Sequence, residues 1–158
     1  MTGPFLILRT GAQRLALPMA AVRGVLPLLP VETTPGLPRP LLGFIDLRGQ
    51  MVAVLHPLAL LDPAAPVGPV GLFAHLVHLK GADAPCLLVD RAEDVVSGEV
   101  GDIDPTLSLN EAIIGELAVG DTVAHVIDPD RLLLSAERNT IDRLAAAATA
   151  RRNQWVAA

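Results

Sequence analysis

The apolar residues of this chain come in short runs, and nearly every run is stopped by glycine or proline within four to seven residues. That punctuation rules out long helices over the first 127 residues and points to many short strands. "FLILR" (5–9) and "RLALP" (14–18) flank Gly11 and read as a hairpin. "VRGVLPL" (22–28) is a third run, ended by Pro27 and Pro30. The segment "PVETTPGLPRP" (30–40) cannot lie inside a sheet, because proline removes the donors of the ladder, so it reads as a crossing loop. "LLGFIDL" and "QMVAVLH" make a second hairpin around Arg48-Gly49, where Gly49 can take the positive φ of a tight turn.

The pattern continues. Segment 62–71 reads as a loop, and "LFAHLVHLK" and "PCLLVDR" form a third hairpin around Gly81-Ala82-Asp83. "AEDVVSGEV" continues as a strand or sheet edge, "DIDPTLSLNEA" is polar and turn-rich, and "IIGELAVGDTVAHVID" is a fourth hairpin with Gly120-Asp121 at or beside its tip. Short strands at this spacing indicate a barrel or sandwich, not a parallel α/β sheet. After Ile127 the period changes. Asp128 before Pro129 has the form of an N-cap and first helical residue, which predicts a helix through "DRLLLSAER" and a second start at Asn139 or Thr140. Ile141, Leu144, Ala148 and Trp155 then share one helical face, so Trp155 is expected to be partly shielded by its neighbours or by the barrel.

Composition narrows the function. Half the residues are hydrophobic (51%), enough for a dense core, but aromatics are only 3%, too few for a base-stacking surface. A formal charge of −5 also argues against nucleic acid, which needs a basic field. The single cysteine, Cys86, excludes an internal disulfide and agrees with a reducing compartment. No secretory leader and no stretch of about 20 apolar residues is legible, so the reading is a soluble cytoplasmic protein without membrane insertion.

No catalytic constellation stands out. His75 and His78 are three apart, and on a strand such residues point to opposite faces, so they cannot chelate one ion together. His56, His125 and Cys86 lack zinc-like spacing, and Cys86 reads as an inert core thiol. Asp46, Asp90 and Asp94 are scattered, and the phosphate-loop, dinucleotide and nucleophile-elbow motifs are missing. Neither metal, cofactor nor enzymatic activity is expected. The reading from another class is a small β-barrel that binds a ligand or metal through its histidines.

Four motifs in order carry a resemblance. "FLILRTGAQRLALPMAAVRGVL", "TTPGLPRPLLGFIDLRGQMVAVL", "CLLVDRAEDVV" and "IIGELAVGDTVAHVIDPDRLL" together resemble the CheW-like coupling domain of bacterial chemosensory arrays. The resemblance covers residues 4–136 and leaves 137–158 as a C-terminal helical tail. It implies two intertwined, five-stranded SH3-like barrels meeting over a common apolar core. It also implies a non-catalytic scaffold that joins a chemoreceptor's cytoplasmic tip to the regulatory domain of a CheA-type histidine kinase, with other CheW-like domains as further partners. By motif position, Val22, Val25, Leu41 and Ile45 are expected to line or support a groove for receptor helices, and Arg48-Gly49 to stand at the partner-facing surface. The chain departs from the pattern at Gly24 (commonly glutamate), Asp46 (asparagine), Ala53 (proline), His56-Pro57 (Asp-Leu) and Cys86 (glycine).

Overall fold

A computed structural model describes residues 1–62, 64–65, 71–103 and 110–157. The chain runs through β1 (Thr2–Thr10), β2 (Gln13–Pro18), a 3-10 turn (Met19–Ala21), β3 (Val22–Pro27), β4 (Leu41–Leu47), β5 (Gln50–Leu55) and α1 (Pro57–Leu61). It continues through β6 (His75–Leu79), β7 (Cys86–Val89), β8 (Arg91–Glu99), β9 (Ile113–Val119), β10 (Thr122–Ile127), a second 3-10 turn (Pro129–Arg131) and α2 (Ser135–Ala157). Parts of the two expected loops, residues 63, 66–70 and 104–109, lie outside the described residues.

The strands form two five-stranded sheets, in the orders β8-β1-β2-β10-β9 and β3-β6-β7-β5-β4. The second is inserted within the first, since the chain leaves after β2, builds β3 to β7, and returns with β8. Each sheet curls shut through one isolated bridge. Gly101 and Glu116 exchange N–H···O bonds of 2.8 and 3.0 Å in the first, and Glu32 and Phe44 exchange bonds of 2.8 and 2.9 Å in the second. The proline-rich crossing loop therefore carries the residue that closes the second barrel.

Uninterrupted apolar runs, instead of the alternation of a half-exposed sheet, follow from burial on both faces. In β1, Phe5 and Ile7 point into the first barrel, while Leu6 and Leu8 join the core shared between the barrels. In β5, Val52 and Val54 fill the second barrel, while Met51, Ala53 and Leu55 meet the shared core. β7 divides in the same way, with Cys86 and Leu88 inside and Leu87 and Val89 on the seam. One central layer thus welds two small barrels, neither of which has a large core of its own.

The helices differ from expectation in three places. Asp128 does cap a turn at Pro129, its Oδ1 accepting the Asp130 N–H at 3.1 Å, but that turn ends at Arg131. The long helix starts at Ser135 and passes through 139–140 without a break, and Glu137 Oε1 reaches back to the Leu134 N–H at 2.9 Å. The sequence does not announce the short α1, because His56 and Pro57 look like interruptions of a strand. They are a cap and a first helical residue: His56 Nδ1 accepts the Ala59 N–H at 3.2 Å. Finally, Trp155 is 85% exposed. The helical register was right, since Ile141 and Ala148 are buried, but α2 outruns the barrel beneath it.

Candidate protein-binding surface

Leu47 pairs with Gln50, so Arg48 and Gly49 alone connect β4 to β5. Both take positive φ, 53° and 90°, the backbone of a type I′ turn whose twist matches the flanking strands. Glycine adopts this at no steric cost. An arginine there costs about 1–2 kcal/mol, because its Cβ crowds the backbone. The first barrel solves the same problem at Gly120-Asp121, between paired Val119 and Thr122, with glycine at the left-handed first position (φ 57°). Arg48 is exposed, and among the described residues it makes no ion pair or side-chain hydrogen bond.

The base of the turn is clamped by α2. Asp46 Oδ1 accepts the Gly49 N–H at 2.8 Å, and its Oδ2 accepts Arg152 Nε at 2.6 Å. The Arg152 bond and the Gly49 N–H together hold the Asp46 carboxyl below its usual range. One helical turn earlier, Thr149 Oγ1 accepts the Met51 N–H at 3.1 Å. This satisfies a donor on β5, which pairs with β7 over only Val54 and Leu55. α2 therefore runs along β5 toward the turn. Neither Asp46 nor Asp90 holds Arg48: Arg152 takes Asp46, and Asp90 Oδ2 accepts the Gly11 N–H at 2.7 Å.

A groove of about 570 Å³ lies between the barrels. Its apolar floor includes Ala21, Leu55, Leu79 and Leu132, and its rim carries Lys80, Asp130, Arg138 and Asp142. Val22, Val25, Leu41 and Ile45 do not line it. Val22 and Leu41 belong to the shared core, Ile45 is fully enclosed in the second barrel, and Val25 is 42% exposed on β3. Leu41 also walls a separate apolar cavity of about 250 Å³ between the crossing loop and the first turns of α2. The structure thus leaves Val25 and Arg48 accessible, with Gly49 half-buried against Arg152, and places Val22 and Ile45 beneath the surface.

The CheW-like domain profile matches residues 4–137, most of the chain. The chain belongs to the CheW-like domain family. Its structure is also similar to that of the scaffolding protein TtCheW from Thermoanaerobacter tengcongensis, with a TM-score of 0.68 at 17% identity, over 81% of this chain and 85% of that one. No curated protein matches it.

The CheW-like frame makes sense of several departures from the family pattern. Asparagine at position 46 could cap the turn but could not hold Arg152 with a charge; Asp46 does both. Cys86 fills the second barrel and is fully buried, which pushes its thiol up to about 12 and leaves it a poor nucleophile. Gly24 faces open space, with nothing within 4 Å of a Cβ placed there. Two of the four histidines serve local structure. His75 Nδ1 accepts the Ala92 N–H at 3.0 Å, where the β1–β8 register shifts, and His56 caps α1. Among the described residues no three His, Cys, Asp or Glu side chains converge as metal ligands, and no helix is long and apolar enough to cross a membrane.

Sequence reasoning missed Thr149 and Arg152. Nothing local announces them: Arg152 meets a residue 106 positions away, and Thr149 one 98 positions away.

Proposed function

We propose that this CheW-like protein is a non-catalytic, cytoplasmic coupling scaffold. It joins the cytoplasmic tip of a chemoreceptor to the regulatory domain of a CheA-type histidine kinase, and other CheW-like domains are further partners. One observation carries the reading beyond family membership. Arg48 holds a left-handed backbone that the equivalent turn of the first barrel gives to glycine, and its side chain has no internal partner among the described residues. A residue that costs stability and contributes no contact within the chain is explained by contacts outside it. A guanidinium offers a planar fork of donors suited to carboxylates and carbonyls of a partner. Val25 is the accessible apolar member of the surface, Val22 and Ile45 support it from below, and Leu41 anchors the crossing loop.

The test is Arg48→Glu. Its thermal unfolding should stay cooperative and close to wild type, while recovery in a receptor–kinase pull-down should fall. Losing a buried charge-assisted contact costs about 2 kcal/mol or more, and much less at a rim. A variant that folds and couples normally refutes the role given to Arg48. One that unfolds far below wild type shows that the arginine is structural.

A further inference from the structure

Ile141, Ala148 and Trp155 recur at intervals of seven along α2 and so lie on one face. The first two are buried, yet Trp155 on the same stripe is 85% exposed and Val156 beside it 68%. The cause is length. Arg152 already sits over the Arg48-Gly49 turn, where its guanidinium would lie 3.4 Å from a Cβ on Gly49. Asn153 still lines the cleft between α2 and the start of β5, whereas Trp155 and Val156 are exposed, and at 1.5 Å per residue Trp155 stands about 4–5 Å beyond Arg152 along the helix. The last turn of the helix overhangs the hairpin as a ledge, with the chain's one tryptophan on the face that elsewhere meets the core.

Charge at the ledge is opposite to that of the molecule. The chain carries −5 overall, but the turn and the end of α2 bring Arg48, Arg151 and Arg152 against two carboxylates, Asp46, whose charge is matched by Arg152, and Asp83, which accepts a hydrogen bond from Gln50 beside the turn. Arg48 and Arg151 are exposed and make no ion pair among the described residues. Arg151 is four residues before Trp155, one helical turn away on the same side.

We infer that the overhanging turn of α2 and the Arg48-Gly49 hairpin form a docking ledge for an acidic amphipathic helix of a partner protein. An apolar side chain of that helix covers Trp155, and flanking carboxylates meet Arg48 and Arg151. Tryptophan and arginine are the side chains that anchor such contacts most strongly. The inference shares Arg48 with the coupling reading but does not require receptor or kinase as the partner.

Trp155 is its own reporter. The whole protein is titrated with a synthetic helical peptide bearing leucines on one face flanked by glutamates, and with a matched lysine peptide. The glutamate peptide should move the emission to shorter wavelength in a saturable way, and the lysine peptide should leave it unchanged. Arg48→Glu should weaken the glutamate peptide at least about tenfold, the effect of losing one well-placed contact. Arg143→Glu, the same charge change on an exposed part of α2 away from the ledge, should not. Trp155→Ala, read by calorimetry, should lose binding without a lower unfolding temperature. No shift with the glutamate peptide, or equal shifts with both peptides, overturns the inference. A shift that follows protein concentration alone assigns the ledge to a second copy of the chain, and one produced only by anionic vesicles assigns it to a membrane; either overturns the proposal. Normal peptide binding beside failed receptor–kinase coupling would sink the coupling reading and leave the ledge standing.

Discussion

The two barrels are the same construction made twice, and their differences separate folding from function. In each, a flanking strand (β8, β3) pairs with a hairpin (β1–β2, β6–β7). A two-residue parallel join (β2 to β10, β7 to β5) then leads to a second hairpin (β10–β9, β5–β4). Each closes through a bridge beside a glycine, Gly115 or Gly43. Each second hairpin exits into a capped turn, Asp128-Pro129 or His56-Pro57. What recurs in both is what the architecture needs. What appears in one, namely Arg48 in a left-handed turn, an imidazole as cap and α2 laid along β5, was added for another reason.

The largest effect should come from the shared feature. A Cβ on Gly43 would lie 2.3 Å from the Glu32 carbonyl oxygen, and one on Gly115 would lie 2.3 Å from Val100 Cγ1 and 2.7 Å from the Gly101 oxygen. Both glycines let a second backbone approach closely enough to close a barrel. Gly43→Ala and Gly115→Ala should each cost about 2–4 kcal/mol by denaturant unfolding. A cost for one and not the other would break the equivalence of the two closures.

Next comes the cap. His56→Ala should cost about 1 kcal/mol, as loss of a helix N-cap does. Burial, with Arg39 nearby, lowers the His56 pKa from 6.5, and Nδ1 can accept the Ala59 N–H only while it is unprotonated. The unfolded chain therefore binds more protons than the folded one between the lowered value and 6.5. Stability is complete above pH 6.5, declines as pH falls toward the folded value, and is level below it. His56→Asp, which gives the second barrel the cap of the first, should flatten this slope in urea melts at several pH values. The slope that remains belongs to His78, lowered in the same direction by burial and Arg23. An unchanged slope would remove His56 from the account.

Arg48→Asn should raise stability, by about 0.5–1 kcal/mol, because Asn-Gly suits a type I′ turn and asparagine tolerates the left-handed backbone. A stabilised variant that loses coupling would sharpen the contrast between the two turns most directly. A destabilised one would mean that Arg48 supports the fold. The smallest effect is local. Arg152→Ala should speed hydrogen exchange at Met51 and Gly49 and leave the first barrel unchanged, since an exposed ion pair contributes little to global stability.

Much of this was legible in the chain. The apolar runs, the stops at Gly11, Arg48-Gly49 and Gly120, and the proline-rich crossing loop marked the hairpins, because strand period and turn chemistry are local properties. Trp155 shows where that reading ends. Its place on the Ile141–Ala148 stripe is set by helical period alone, but its exposure depends on where the barrel stops, which no spacing within α2 encodes. The same holds for Ile45 and Val25. Four residues expected beside one groove look alike in sequence, and only the folding of both sheets puts Ile45 inside and leaves Val25 out.

The sequence by itself determined the strands, the tight turns and the family, since each rests on neighbours a few residues apart. Tertiary structure alone decided that the barrels interleave and that Glu32 closes the second one. It also decided that Asp46 meets Arg152 across 106 residues and that α2 overhangs the hairpin. The physical reason is that backbone geometry and side-chain period act within a few residues of chain. Partner choice between distant segments is settled only when both faces of every strand have found something to bury against.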